Sequence, residues 1–301
     1  MDLITLRAGG AGLVLAPEAG GSVARYGIER GGTAWDLLRP WRAPRADDVF
    51  QSAGFPLVPY SNRIRAGRFS FQGREIVLPL NRPPERHSIH GLGWHTAWRS
   101  SDVREHEATL EFEHAAGAWP WAFRATQHFA LSPTGLSVAL TLRNESDTAM
   151  PAGLGWHPYF PRTPRTTLTA EVQAMWLTDH EVMPTTLAPP RPGADLSRGV
   201  VIDGITLDNG FVGWNRRAVI EWPEPGVRLV MRADAPLDFL VVYTPKGRSF
   251  FCAEPVSLMT DAFNLAAAGR TDTGARTLAP GETLRAVVVL AVEHRAGRPA
   301  G

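Results

Sequence analysis

Alternation of apolar and polar side chains with a period of two constrains this chain more than any other feature. In "GLSVALTLRNES", Leu136, Val138, Leu140 and Leu142 alternate with Ser137, Ala139, Thr141 and Arg143. That pattern puts one row on a buried sheet face and the other toward solvent. "ATLEFEH" repeats it with Leu110 and Phe112, and "AFRATQHFALSPTGLSVALTL" predicts a hairpin turning at "SPTG". Further on, "AVIEW", "RLVMRA", "FLVVYT", "FFCAE" and "TLRAVVVLAVEH" are short, rich in β-branched and aromatic residues, and bounded by Gly, Pro or Asp. The 29 glycines and 25 prolines are spread over all 301 residues, which leaves little room for long helices. The one segment of helical composition is "SLMTDAFNLAAAG", residues 257 to 269. Many short strands joined by turns predict an all-β sandwich or barrel. With no internal repeat and no clean linker, residues 1–301 read as a single domain, "RAPRADD" and "APPRPGADLSRG" being surface loops.

The charge balance excludes several classes of partner. The formal net charge is +1 and no run of Lys or Arg appears, so neither nucleic acid nor an acidic membrane surface is expected as a partner. No apolar stretch approaches the roughly 20 residues of a spanning helix, and "MDLITLRAGGAGLVLAPEAGG" lacks a basic segment followed by an apolar block. The single cysteine, Cys252, rules out an intrachain disulfide and reads as a packed core residue. A reducing, cytoplasmic setting is the expectation.

Four polar clusters lie at the edges of predicted strands. In "PLVPYSNRIRAGRFSF", Asn62 and Arg63 precede a strand; Arg63 can clamp a ligand oxygen with its planar fork or serve as a structural contact to backbone. "NRPPERHSIHGLGWHTAW" holds His87, His90 and His95. A metal would need the three imidazoles to converge; on a strand His87 and His90 face opposite sides, though a loop could bring them together, and no carboxylate or cysteine at ligand spacing accompanies them. Gly91 and Gly93 allow close approach around His90, leaving His87 and His95 as surface or supporting groups. "PAGLGWHPYFPR" sets His157 in a rigid, partly apolar wall, either as a satisfied structural residue or as a catalyst. In "SFFCAEPVS", Glu254 ends an apolar strand, where it is either ion-paired or a base of raised pKa at a site mouth. Asp208 in "TLDNGFVGW" either closes a turn or grips a ligand hydroxyl. Together these supply His and Glu for acid/base work, Arg and Asp for hydrogen bonding, and Trp94 and Trp156 for the apolar faces of a sugar ring. The set suits proton transfer on a polyhydroxylated substrate with neither cofactor nor metal.

The chain resembles the aldose 1-epimerase (galactose mutarotase) family over nearly its full length. The resemblance is carried by "PYSNRIRAGRFSF", "HSIHGLGWHTAW", "GLGWHPYF", "TLDNGF" and "CAEPVSLMTDAFN", in the family's order. It implies a large antiparallel β-sandwich, the galactose mutarotase-like super-sandwich, with a site in a concave, strand-lined cleft. It further implies that Glu254 is the general base at the C1 hydroxyl and His157 the general acid at the ring oxygen. His90, Arg63, Asn62, Asp208 and Trp156 would bind the substrate. The expected partner is a small-molecule sugar, acted on by a monomer or homodimer.

Two departures narrow what carries over. Where galactose mutarotases commonly have Gln, two residues before a Tyr, "VVYTPKG" has Val241 before Tyr243, which puts galactose itself in doubt. The motif variants look closer to a bacterial epimerase-like subgroup than to the galactose enzymes. A hexose-6-phosphate epimerase would need a cationic pocket, for which Arg65, Arg82, Arg86 and Lys246 are candidates. A non-catalytic sugar-binding protein on the same sandwich is the alternative of a different class.

Overall fold

The computed structural model describes residues 1–294, almost all of whose regular structure is antiparallel strand. Two large sheets dominate, one of eleven strands and one of nine among the described residues. The centre of the larger runs through Gly54–Leu57, Gly155–Pro161, Phe250–Val256, Phe239–Tyr243 and Asp208–Val212. The smaller centres on Phe123–Ser132, Gly135–Asn144, Thr283–His294, Val227–Ala233 and Arg217–Trp222. One apolar cluster joins the two into a sandwich, as predicted.

The alternation behaves as expected in the smaller sheet. Leu136, Val138, Leu140 and Leu142 are buried while Ser137, Ala139, Thr141 and Arg143 are partly or wholly exposed. The predicted hairpin closes with Ser132 opposite Gly135, leaving Pro133 and Thr134 as its two-residue loop. The larger sheet hides the alternation because both of its faces are covered at the centre. Every residue of Phe251–Val256 is buried, Glu254 included, so that strand reads as a near-continuous apolar run.

The helix expected over 257–269 is only Ala262–Ala267. Ser257 and Met259 instead bond their N–H groups to Leu154 O and Thr273 O, tying this stretch to neighbouring segments. Asp261 adopts a left-handed conformation (φ 59°), and its carboxylate accepts from the Arg65 N–H and the Asn264 side chain. A left-handed residue cannot lie inside an α-helix, so alanine propensity prevails only after it.

Candidate active site

Strand register builds the site on one face of the larger sheet. Gly155 lies opposite Val256 and Tyr159 opposite Cys252, which sets His157 across from Glu254. Phe55 faces His157 from the next strand, and Val241 faces Glu254 from the other side. One residue row along, Tyr159, Cys252, Tyr243 and Asp208 are matched in the same way. Because successive side chains alternate across a sheet, these two rows share a face. The interleaved Trp156, Phe160, Phe251 and Ala253 point the other way, into the core, and all are fully buried.

Two loop segments complete the wall and are locked to each other. The Asn62 N–H donates to His90 Nδ1 at 3.1 Å, and the His90 N–H donates to Asn62 O at 2.9 Å. Both residues are left-handed, with φ of 59° and 61°, a conformation rare outside glycine and held only by such mutual bonding. The Leu92 and Gly93 N–H groups both donate to Val58 O. At Gly91 (φ +70°) an added Cβ would lie 2.0 Å from that same oxygen, and at Gly93 one would lie 2.5 Å from the Val58 side chain, so Gly91 admits the Val58 backbone and Gly93 its side chain. Since Nδ1 of His90 accepts, its proton sits on Nε2. Burial, then the neighbouring His157, Arg63 and Arg82, hold this imidazole neutral, well below its usual pKa.

The resulting pocket, about 490 Å³ including its open mouth, is lined by His157, Glu254, His90, Asn62, Arg63 and Asp208, with Phe50, Arg82, Tyr159, Val241 and Tyr243 among the remaining lining residues. His157 Nε2 stands 3.3 Å from Glu254 Oε1, with both side chains buried. The imidazole stacks against two neighbouring rings, Phe55 (ring centroids 4.6 Å, 28°) and Tyr159 (4.7 Å, 26°), which lie 6.1 Å from each other. Behind Tyr159, the Arg39 guanidinium lies 3.9 Å over the ring and donates to the Phe50 and Ser52 carbonyls. Burial first, then Arg39, pushes His157 down. Burial, then Asp208, raises Glu254 well above its usual value, with Arg63 opposing. Both shifts favour the same state: a neutral imidazole beside a protonated carboxyl, sharing one titratable proton between them.

The sequence candidates fare differently. Arg63 joins the pocket and is held on two sides, by Glu85 Oε2 at 3.1 Å and Asp208 Oδ2 at 3.8 Å; it is both a pocket donor and a structural contact. Asn62 spends its side-chain oxygen on the Arg63 N–H. Trp156, expected against the sugar, is fully buried on the opposite sheet face and lines no part of this pocket. It sits one position from His157, and strand alternation sends it inward. Trp94 is also buried and caps the loop through its indole N–H to Ile89 O. His87 is a buried support whose Nδ1 accepts from the Ala66 N–H, whereas His95 is exposed. Among the described residues the three histidines of that segment do not converge as metal ligands would, whereas ligand atoms of His157, Cys252 and Glu254 lie within 4.8 Å of one another. Of the four proposed phosphate-binding cations, only Arg82 lines this pocket. Arg65 is paired with Asp261 and Arg86 with Glu181, while Lys246 is exposed.

The sequence reading does not single out Phe50 and Tyr159 of the pocket lining, nor Glu85, which holds Arg63 from beside it. Tyr159 was findable, since it follows His157 by two and must share its face. Phe50 comes from a short 3-10 turn and Glu85 from a loop, neither of which has a strand period to read. No helix of the described residues is long and apolar enough to cross a membrane.

The fold defines a large two-sheet antiparallel sandwich with a pocket on one sheet face, and comparison with known proteins makes its class specific. The aldose 1-epimerase family profile matches residues 2–291. A protein called YphB from Escherichia coli K12 is 33% identical over 265 residues, covering 85% of this chain and 89% of that one. A crystal structure from the same organism superposes with a TM-score of 0.87 at 30% identity, over 97% of this chain and 99% of the other. A galactose mutarotase-like protein from Clostridium acetobutylicum shares the fold, with a TM-score of 0.84 at 22% identity and coverage of 96% and 94%. The chain belongs to the aldose 1-epimerase family.

Proposed function

We propose that this protein is an aldose 1-epimerase that interconverts the α and β anomers of a free aldose. The observation that carries the reading is the His157–Glu254 pair, 3.3 Å apart on adjacent strands, facing a pocket whose other polar groups converge on the same space. Glu254 removes the proton from the C1 hydroxyl while His157 delivers one to the ring oxygen, and the C1–O5 bond breaks. The aldehyde turns about C1–C2 and the ring recloses with the two roles reversed. Ring opening starts from carboxylate and imidazolium and ends with both neutral. That end state is the one burial favours, so the two proton transfers discharge a pair that is costly to keep charged. Substrate hydroxyls entering the pocket supply the dipoles that solvate the charged form.

His90 presents its Nε2–H as a neutral donor toward the ring-oxygen side, with Arg63 and Asn62 beside it. Asp208, at the mouth, takes the distal hydroxyls. Val241 lines the pocket across from Glu254 and offers no hydrogen bond to a hydroxyl there, so we assign the substrate to aldoses other than galactose. None of these steps calls for a cofactor.

Saturation-transfer NMR of anomer exchange, with glucose, galactose, xylose, arabinose, fucose and glucose-6-phosphate, tests the reading. Exchange above buffer, reduced by about 10²-fold or more in Glu254→Gln and in His157→Asn, is the expected result. Calorimetric sugar binding by folded wild type without any exchange would replace the enzyme with a sugar-binding protein.

A further inference from the structure

Cys252 takes no part in the proposed proton transfers, yet it lies on the same sheet face as both groups that do. It is two residues from Glu254 on one strand and directly opposite Tyr159, the neighbour of His157 by two, on the next. We propose that an imidazole nitrogen of His157, Cys252 Sγ and one carboxylate oxygen of Glu254 form a binding site for a soft divalent cation of the Zn²⁺ or Cd²⁺ type, and that its occupation blocks the pocket's acid/base pair.

The geometry is close to what such an ion requires. The three ligand atoms lie within 4.8 Å of one another. Tetrahedral zinc, with bonds of about 2.0–2.3 Å, sets ligand atoms roughly 3.3–3.8 Å apart, so rotamer adjustments of about 1 Å close the set. The donors are one nitrogen, one thiolate and one carboxylate, the types zinc selects, and three protein ligands leave a fourth position for water. All three sit on paired strands, which hold them as a rigid platform. Independently, Glu254 Oε2 is buried with no hydrogen-bond donor, an arrangement that polar groups avoid and a cation relieves. Around the site, Arg39, Arg63 and Arg82 oppose a cation and Asp208 favours it. The two anionic ligands neutralise the metal's own charge.

Binding displaces protons. From the neutral pair, Zn²⁺ replaces one proton on the Cys252 thiol and one on the Glu254 carboxyl, and both leave to solvent. Capture therefore competes with protons and should strengthen as pH rises.

The test is titration of chelator-treated protein with Cd²⁺, read by the ultraviolet thiolate-to-metal charge-transfer band, and with Zn²⁺ during anomer exchange. One equivalent of Cd²⁺ should develop the band, and Cys252→Ala, checked for an unchanged thermal transition, should lack it. Zn²⁺ should abolish exchange in wild type, and the same concentration should inhibit Cys252→Ala at least about 10-fold less. No thiolate band, or inhibition identical in Cys252→Ala, overturns the site. The inhibitory consequence rests on the epimerase reading, but the cadmium band does not. Absence of exchange with any sugar would therefore sink the function and leave the metal site decided separately.

Discussion

Glu254→Gln should abolish activity and yet stabilise the fold as pH rises. Glutamine keeps the shape of the side chain and never ionises. The wild-type carboxyl is raised well above 4.5, chiefly by burial and then by Asp208, against Arg63. A group whose pKa is higher folded than unfolded holds its proton more tightly in the native state. Its contribution to stability is therefore complete below the unfolded pKa and is lost as pH climbs through the folded one. Each unit of displacement costs wild type about 1.4 kcal/mol once that window is crossed. With an unfolding entropy of about 2.1 cal/mol/K per residue, this amounts to roughly 2 °C of Tm per unit for a chain of this size. Paired thermal and urea unfolding at about pH 5 and about pH 8 would measure it, with the variant gaining on wild type at the higher pH. The opposite picture makes an opposite prediction. If the native pair were carboxylate and imidazolium, removing the carboxylate would strand a buried cation and cost about 3–5 kcal/mol. A stability difference that is flat with pH, or that moves in favour of wild type, refutes the neutral pair.

Two further outcomes follow from the same geometry. Arg39→Met should raise the pKa of His157, because burial and then Arg39 depress it. A histidine depressed in the folded state loses stabilisation as pH falls below its unfolded value of 6.5. The variant should therefore lose less stability on acidification, and an unchanged NMR titration midpoint for His157 would refute the role of Arg39. Gly91→Ala should cost about 3 kcal/mol or more, since its Cβ would meet Val58 O at 2.0 Å on a left-handed backbone; denaturant unfolding at wild-type stability would overturn the account of the 58–62 and 88–93 lock.

The fold class was readable because a half-buried strand advertises itself: Leu136 to Leu142 alternate, and they are buried as the pattern requires. The same rule applied to "GWHPYF" places His157 and Tyr159 on one face and Trp156 on the other. Trp156 was assigned to the sugar on residue type, and the period overrules residue type. The 257–269 segment failed for a related reason. Alanine propensity is worth a few tenths of a kcal/mol per residue, while the bonds from Ser257, Met259 and Asp261 to distant segments decide the backbone first.

By itself the sequence determined which residue types were available and the local period that sorts them into faces: an all-β chain, a His and a Glu at strand positions, and the motifs of one family. Only the tertiary structure decided that His157 lies opposite Glu254, that Asn62 and His90 hold each other in left-handed conformations, and that Arg39 stacks behind Tyr159. Those facts depend on strand register and on loop contacts between residues far apart in the chain. The protonation state of the pair depends on them as well, because burial and neighbouring charge are properties of assembled space, and no spacing along a chain encodes them.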